Sequence, residues 1–172
     1  MDCVLRPWRL EDAGDLAAAL NDRRVLDNLR DGLPYPYTRQ DGADFIAAML
    51  AADPHAAYPF AITVADRAVG SIGAFRRENI HCRTAEMGYY IGAPWWGKGL
   101  ATSAVRQLCA RLFRETDLLR IFAEPFADNL ASCRVLEKAG FQLEGVLRKN
   151  AVKNGAVRDM KLYALVREEA RP

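Results

Sequence analysis

The sequence predicts a mixed α/β domain organised around one central sheet. Three observations carry this expectation. The middle of the chain holds three strand-like segments in a row, at 59–65, 68–76 and 83–92. Stripes of apolar residues at helical spacing lie on either side of them. The last third adds short apolar strands around a further helix, which places helices about a sheet rather than in a bundle of their own.

Taken in order, residues 3–8 alternate well enough for a first strand, with Val4 and Arg6 on one face and Leu5 on the other. Glu11 and Asp12 then open a helix with Leu16, Ala17 and Leu20 along one side. Acids suit that position because a helix start carries partial positive charge. Residues 28–37 read Asn-Leu-Arg-Asp-Gly-Leu-Pro-Tyr-Pro-Tyr, and two prolines and a glycine break any helix there. A helix resumes over 38–52, with Phe45, Ile46, Met49 and Leu50 at three- and four-residue spacing. Asp66-Arg67 is a short hairpin connection between the first two of the central strands.

Ala101, Ala104, Val105, Leu108 and Leu112 form a strong stripe and predict a helix over 97–114. A short strand follows at 119–124. Residues 129–139 form a helix with Leu136 and Ala139 inward, closed by Gly140, a residue suited to the left-handed turn after a helix. Strands at 141–148 and 157–166 close the chain around Lys153-Asn154-Gly155.

The chain has 172 residues with no internal repeat and no Pro/Gly/Ser linker, so one domain over 1–172 is expected. Composition is 51% hydrophobic and 27% charged, which excludes a disordered or collagen-like chain. Twenty-four Lys and Arg oppose 22 Asp and Glu, and a net charge of +2 argues against non-specific attraction to nucleic acid or membrane. Apolar runs fall far short of the ~20 residues of a membrane span. The opening Met-Asp-Cys-Val-Leu-Arg has no signal-peptide pattern, so a cytoplasmic protein is expected. Cys3, Cys82, Cys109 and Cys133 make no C-x-x-C pair, and His55 and His81 flank nothing with metal-ligand spacing. The expectation is four reduced thiols in or near the core, and no metal.

The most informative segment is Gly92-Ala-Pro-Trp-Trp-Gly97-Lys98-Gly99-Leu100-Ala101-Thr102, which follows a strand and opens a helix. Backbone N–H groups and the positive end of a helix then point at one spot, a place for an anion. Three readings fit. As a nucleotide-hydrolase phosphate loop the segment matches up to its last position, where Gly99 stands in place of the Ser or Thr that holds magnesium. As a packing device, its glycines let elements approach closely. As a pyrophosphate cradle, it works without metal.

In the last reading, Trp96-Gly97-Lys98-Gly99-Leu100-Ala101 resembles the signature loop Gln/Arg-x-x-Gly-x-Gly/Ala of the GNAT superfamily of N-acetyltransferases, with Trp96 in place of Gln or Arg. Three further blocks resemble the same superfamily, and most closely its Rim-type branch of ribosomal-protein N-terminal acetyltransferases. Asn129-Leu-Ala-Ser132-Cys-Arg-Val-Leu-Glu-Lys-Ala-Gly140-Phe141 is similar to its Asn-x-x-Ser to Gly-Phe block. Ala85-Glu86-Met87-Gly88-Tyr89 is similar to its Ala-Glu-Ile-Gly-Tyr strand, and the tail from Arg158 to Ala164 to its closing strand. The likeness runs from about residue 4 to 166. It implies a twisted mixed sheet, mostly antiparallel, of about seven strands flanked by about four helices.

The resemblance also implies transfer of an acetyl group from acetyl-CoA directly to an amine. The cofactor's pyrophosphate would be held by the backbone of Gly97, Lys98, Gly99, Ala101 and Thr102. The splayed strand near Tyr90 and Ile91 would pair with the pantetheine, and the Ile91 N–H would polarise the thioester carbonyl. Glu86 would take the proton of the acceptor ammonium through a water, or else be an idle strand residue. Ser132 would assist the departing thiolate and Asn129 would contact the pantetheine or the acceptor; both are alternatively plain helix-start caps. Cys133 is expected to pack rather than carry an acetyl group. Tyr89 and Tyr163 are expected to be packing residues, and Arg148, Lys149 and Lys153 a solvated turn.

The acceptor expected is an α-amine at a protein or peptide N-terminus, a ribosomal protein among the candidates. An α-amine is roughly 14% neutral at pH 7 and a lysine roughly 0.04%, so one carboxylate suffices for the former. Arg30, Tyr35 and Tyr37 would line the acceptor side. A small-amine acetyltransferase and a non-catalytic acyl-CoA-binding module are the alternatives.

Overall fold

The computed structural model describes residues 2–168. One sheet of seven strands runs in the order β1 (Val4–Arg6), β2 (Ala57–Val64), β3 (Arg67–Arg76), β4 (Thr84–Ile91), β5 (Arg120–Ala123), β7 (Ala156–Val166), β6 (Gln142–Lys153). Every neighbouring pair is antiparallel except β4 and β5, which are parallel. The expected mixed, mostly antiparallel sheet is present. Five α-helices accompany it among the described residues: α1 (Ala13–Leu20), α2 (Arg23–Leu26), α3 (Arg39–Ala51), α4 (Leu100–Glu115) and α5 (Leu130–Lys138). The single turn of α2 was not legible as a stripe.

Side chains alternate across a strand, so the sheet carries two cores. On one face, Ile72, Met87, Ile91 and Ile121 meet Leu100, Val105 and Leu108 of α4 and Leu136 of α5. On the other, Ala61 and Ala68 meet Leu16 and Leu20 of α1 and Ile46 of α3, with Trp8 and Tyr37 beneath. Trp8 stands edge-on to Phe45 at 5.9 Å. The α3 stripe is narrower than expected, for Leu50 is 54% exposed. Cys82 is exposed as well, while Cys3, Cys109 and Cys133 are buried, which corrects the expectation of four core thiols.

Turn chemistry decides the hairpins. Ala65 and Asp66 hold φ of 48° and 63°, and Val64 pairs with Arg67. The connection is therefore Ala65-Asp66, one residue earlier than the sequence suggested, and it is a two-residue turn with both φ positive. Asp66 is held there by Arg6 at 2.9 Å and Arg9 at 2.8 Å. Asn154-Gly155 makes the same kind of turn between β6 and β7. β6 continues to Lys153 rather than stopping near 148, because it absorbs a register shift between Leu147 and Ala151. Lys149 sits in that irregularity with φ of 53° and donates its N–H to Asp159 at 2.7 Å.

Arg6 joins β1 to the first helical turn. Its guanidinium bonds both oxygens of Asp12, at 2.7 and 2.8 Å, and Asp12 also accepts the Arg9 N–H at 2.9 Å. Burial opposes the charge on Asp12, but these bonds outweigh it and hold the carboxyl below the usual range.

Candidate active site

Three residue pairs join β4 to β5: Thr84 with Arg120, Ala85 with Ile121 and Glu86 with Phe122. β5 ends at Ala123, while β4 continues to Ile91 against β3 alone. The two strands therefore part beyond Glu86 and open a cleft of about 970 Å³. The β3–β4 register is unbroken from Gly70↔Ile91 to Arg76↔Ala85, so the opening arises from the short β5 and not from a bulge in β4. Gly92 N donates to Val69 O at 2.9 Å. By the alternation of an antiparallel ladder, the peptide groups of Tyr89 and Ile91 then point away from β3 toward the cleft.

One wall of the cleft is the glycine segment. Gly97 and Gly99 hold φ of 74° and 77°, a region that L side chains rarely adopt, and α4 starts directly after. Ser103 donates the first bond of the helix, to Gly99 O at 3.1 Å. The N–H groups of Leu100, Ala101 and Thr102 precede it and have no acceptor within the helix, and these three residues line the cleft. The Lys98 side chain folds back, donating to Pro94 O at 3.1 Å with its ammonium 4.6 Å from the Trp95 ring centre. Its backbone is what it offers to a ligand. Trp96 donates its indole N–H to Ile91 O at 2.7 Å, tying the start of this loop to the end of β4. The sequence shows Trp96 only as a departure from Gln or Arg; the tether depends on the fold.

The opposite wall follows β5. Asn129 caps α5 by accepting the Ser132 N–H at 3.2 Å. Ser132 Oγ lies 2.9 Å from the hydroxyl of Tyr89, which also donates to Ser132 O at 3.2 Å. Tyr89, expected only to pack, thus bridges the two walls. Burial pushes its phenol well above the ordinary value, with the Ser132 bond opposing in part. Tyr90 has its ring turned to the other face of the sheet, against the α1 and α3 core. Burial raises its phenol too.

Glu86 stands where β4 and β5 part, its side chain 18% exposed. One oxygen accepts from Arg30, on the segment after α2, and the other from Arg77 at 3.3 Å. Arg77 escaped the sequence reading; only the β3–β4 register, which sets Phe75 opposite Glu86, brings it within reach. Arg30 lines the cleft. Tyr35 and Tyr37 are not among the lining residues. Tyr35 is half exposed beneath the Arg23 guanidinium, and Tyr37 is 3% exposed in the second core, its hydroxyl donating to Asp41 O at 3.2 Å. Tyr163 is buried outside the cleft, donating to Glu137 at 3.1 Å. Cys133 is packed near Phe126 O at 4.0 Å.

Among the described residues no group of three or more His, Cys, Asp or Glu could hold a metal ion. No helix among them is long and apolar enough to cross a membrane.

The family profile described as "Acetyltransferase (GNAT) domain" matches residues 2–142. Probable N-acetyltransferase YjcK of Bacillus subtilis is 40% identical over 111 residues, 63% of this chain and 61% of that protein. The ribosomal-protein-serine acetyltransferase of Escherichia coli is 32% identical over 107 residues, 62% of this chain and 59% of that protein. These two matches thus span about three fifths of each relative. RimJ of Mycobacterium smegmatis, solved in complex with CoA-disulfide, superposes with a TM-score of 0.87 at 28% identity, covering 97% of this chain and 83% of that one.

Proposed function

Since this chain belongs to the GNAT acetyltransferase family, we propose that it transfers an acetyl group from acetyl-CoA to the α-amine of a protein or peptide N-terminus in the cytoplasm. One observation carries the reading. The cleft between the parted β4 and β5 runs from the free N–H groups of α4 to a carboxylate at Glu86 and a hydroxyl at Ser132. A diphosphate, an extended amide chain and a thioester find complementary groups there in that order. The N–H groups of Ala101 and Thr102, with the backbone of Gly97, Lys98 and Gly99, suit the pyrophosphate. The outward peptide edge of Tyr89 and Ile91 suits the pantetheine amides, as a strand added to a sheet edge.

The acceptor nitrogen forms a bond to the thioester carbon, and the carbon–sulfur bond breaks. The amine must first be neutral, and Glu86 receives its proton through a water. Ser132 donates a hydrogen bond to the sulfur as it leaves. An α-amine needs little such help, which favours it over a lysine. The likeness to a ribosomal-protein-serine acetyltransferase supports the same choice.

Free thiol released from acetyl-CoA tests the reading against free-N-terminus peptides, lysine-only peptides, aminoglycosides and polyamines. Turnover of the first group is expected. Glu86→Gln should lower it most near pH 7 and recover part of it at higher pH, where more acceptor is already neutral. Acetylation of small amines alone would replace the N-terminal acceptor. Acetyl-CoA binding without any thiol release would leave a binding module.

A further inference from the structure

We propose that the acceptor carries an anionic group close to its reacting amine, and that Arg30 and Arg77 select it. This rests on the acetyltransferase reading and names the class of acceptor within it.

Glu86, the residue placed to take the acceptor's proton, has both oxygens engaged by guanidiniums, one from Arg30 and one from Arg77. Two cations meet one anion, so the group carries a net positive charge where the amine must arrive. Of the two guanidiniums, Arg30 lines the cleft beside Glu86, and Arg77 reaches the same carboxylate from outside the lining. An acceptor bearing only ammonium groups meets repulsion there and finds the carboxylate already covered.

An acceptor with its own carboxylate resolves both difficulties. Arg30 and Arg77 are 67% and 54% exposed, while Glu86 is 18% exposed. The guanidiniums therefore have the room to move and the carboxylate does not. Each guanidinium has five N–H donors, and Glu86 is the acceptor described for either head group. A carboxylate on the acceptor can pair with Arg30 in a forked geometry and draw it off Glu86. One Glu86 oxygen is then free for the incoming ammonium or its water. The acceptor's anion thus uncovers the group that takes its proton. The same chemistry comes from two sources: the α-carboxylate of a free amino acid, or an acidic side chain next to a peptide N-terminus.

The test uses acceptors matched in all but charge, at saturating acetyl-CoA, with rates compared per concentration of neutral amine. A free amino acid is set against its amide. A peptide with Asp after the N-terminal residue is set against peptides with Asn and Lys there. The anionic member of at least one set should have kcat/KM about tenfold above its neutral partner, the size of one charge-assisted hydrogen bond. The set that responds identifies the source. The preference should shrink as salt rises from about 50 to about 500 mM. Arg30→Gln and Arg77→Gln should bring the ratio toward one, and Arg30→Lys should keep part of it.

Equal rates across both sets, a preference for the Lys peptide, or Arg30→Gln slowing both members alike would overturn the inference and leave the acetyltransferase reading standing. No release of thiol with any amine, together with no calorimetric response to acetyl-CoA, would bring down both.

Discussion

The hydroxyls of Tyr89 on β4 and Ser132 on α5 lie 2.9 Å apart, across the base of the cleft. The Tyr89 hydroxyl also reaches the Ser132 backbone carbonyl at 3.2 Å, where it must be the donor. Burial, the larger effect, raises the phenol and keeps it protonated through the neutral range. When the phenol instead gives its proton to Ser132 Oγ, the serine proton is free to turn toward a ligand.

That pairing makes the serine a positioned donor rather than a free rotor. Ser132→Ala should lower kcat roughly tenfold and change the KM for acetyl-CoA by less than about twofold, as for loss of one hydrogen bond made to a developing charge. Tyr89→Phe should give a smaller fall in kcat in the same direction. Thiol-release kinetics separate the two parameters. Equal losses in KM and kcat for both variants would mean that the pair only shapes the cleft.

Gly99 is required for its backbone and not for space. A Cβ at Gly99 meets nothing within 4 Å, yet its φ is +77°. Gly99→Val forces a β-branched residue into that region at about 1–2 kcal/mol, so the turn relaxes and the α4 N–H groups move. Calorimetry should show acetyl-CoA binding weakened by roughly tenfold. Gly14→Ala, in α1 with equally open surroundings and no positive φ, should bind normally and melt slightly higher.

The bidentate Arg6–Asp12 pair predicts a pH dependence of stability. The folded carboxyl lies below the ordinary value. Its contribution is then complete above the unfolded value of about 3.9 and is lost as pH falls through the folded one. Asp12→Asn should cost roughly 2–4 kcal/mol near neutral pH, because Arg6 and the Arg9 N–H lose a buried anion. Denaturant melts should show the gap to the unsubstituted protein narrowing at low pH. A gap that is constant with pH would assign the loss to shape alone.

Cysteine chemistry divides the four thiols. Cys82 is exposed, and the others are buried. Burial pushes the Cys109 thiol up to about 12, so it stays protonated at pH 7. Brief alkylation of the folded protein should label Cys82 and spare the rest, read by peptide mass. Cys133→Ala should retain activity. An inactive Cys133→Ala protein with acetyl trapped on Cys133 of the parent chain would replace direct transfer with a covalent route.

Much of the fold was legible because it is local. Leu16, Ala17 and Leu20, the stripe from Ala104 to Leu112, and the Asn154-Gly155 turn each carry their own periodicity or backbone demand. The glycine segment was legible for the same reason: its backbone conformation, its position after a strand and its helix are contiguous. Errors fell where neighbours outside the segment decided. Leu50 repeats at helical spacing but faces solvent, since α3 rests on α1 with a narrower face than the pattern implies. Tyr37 looks like a loop aromatic but fills the second core.

The sequence by itself determined the strand and helix periodicities, the glycine turn ahead of α4 and the residue types at Glu86, Asn129 and Ser132, since these depend on neighbours within a few positions. Tertiary structure alone decided what those side chains face. Arg30 and Glu86 are 56 residues apart, and Tyr89 and Ser132 are 43 apart. Each meeting needs the β3–β4 register, the early end of β5 and the packing of α5 on the sheet to be settled together. A shift of one residue in β4 would turn Glu86 and Tyr89 to opposite faces from those they now hold, with no change in the local pattern that either belongs to.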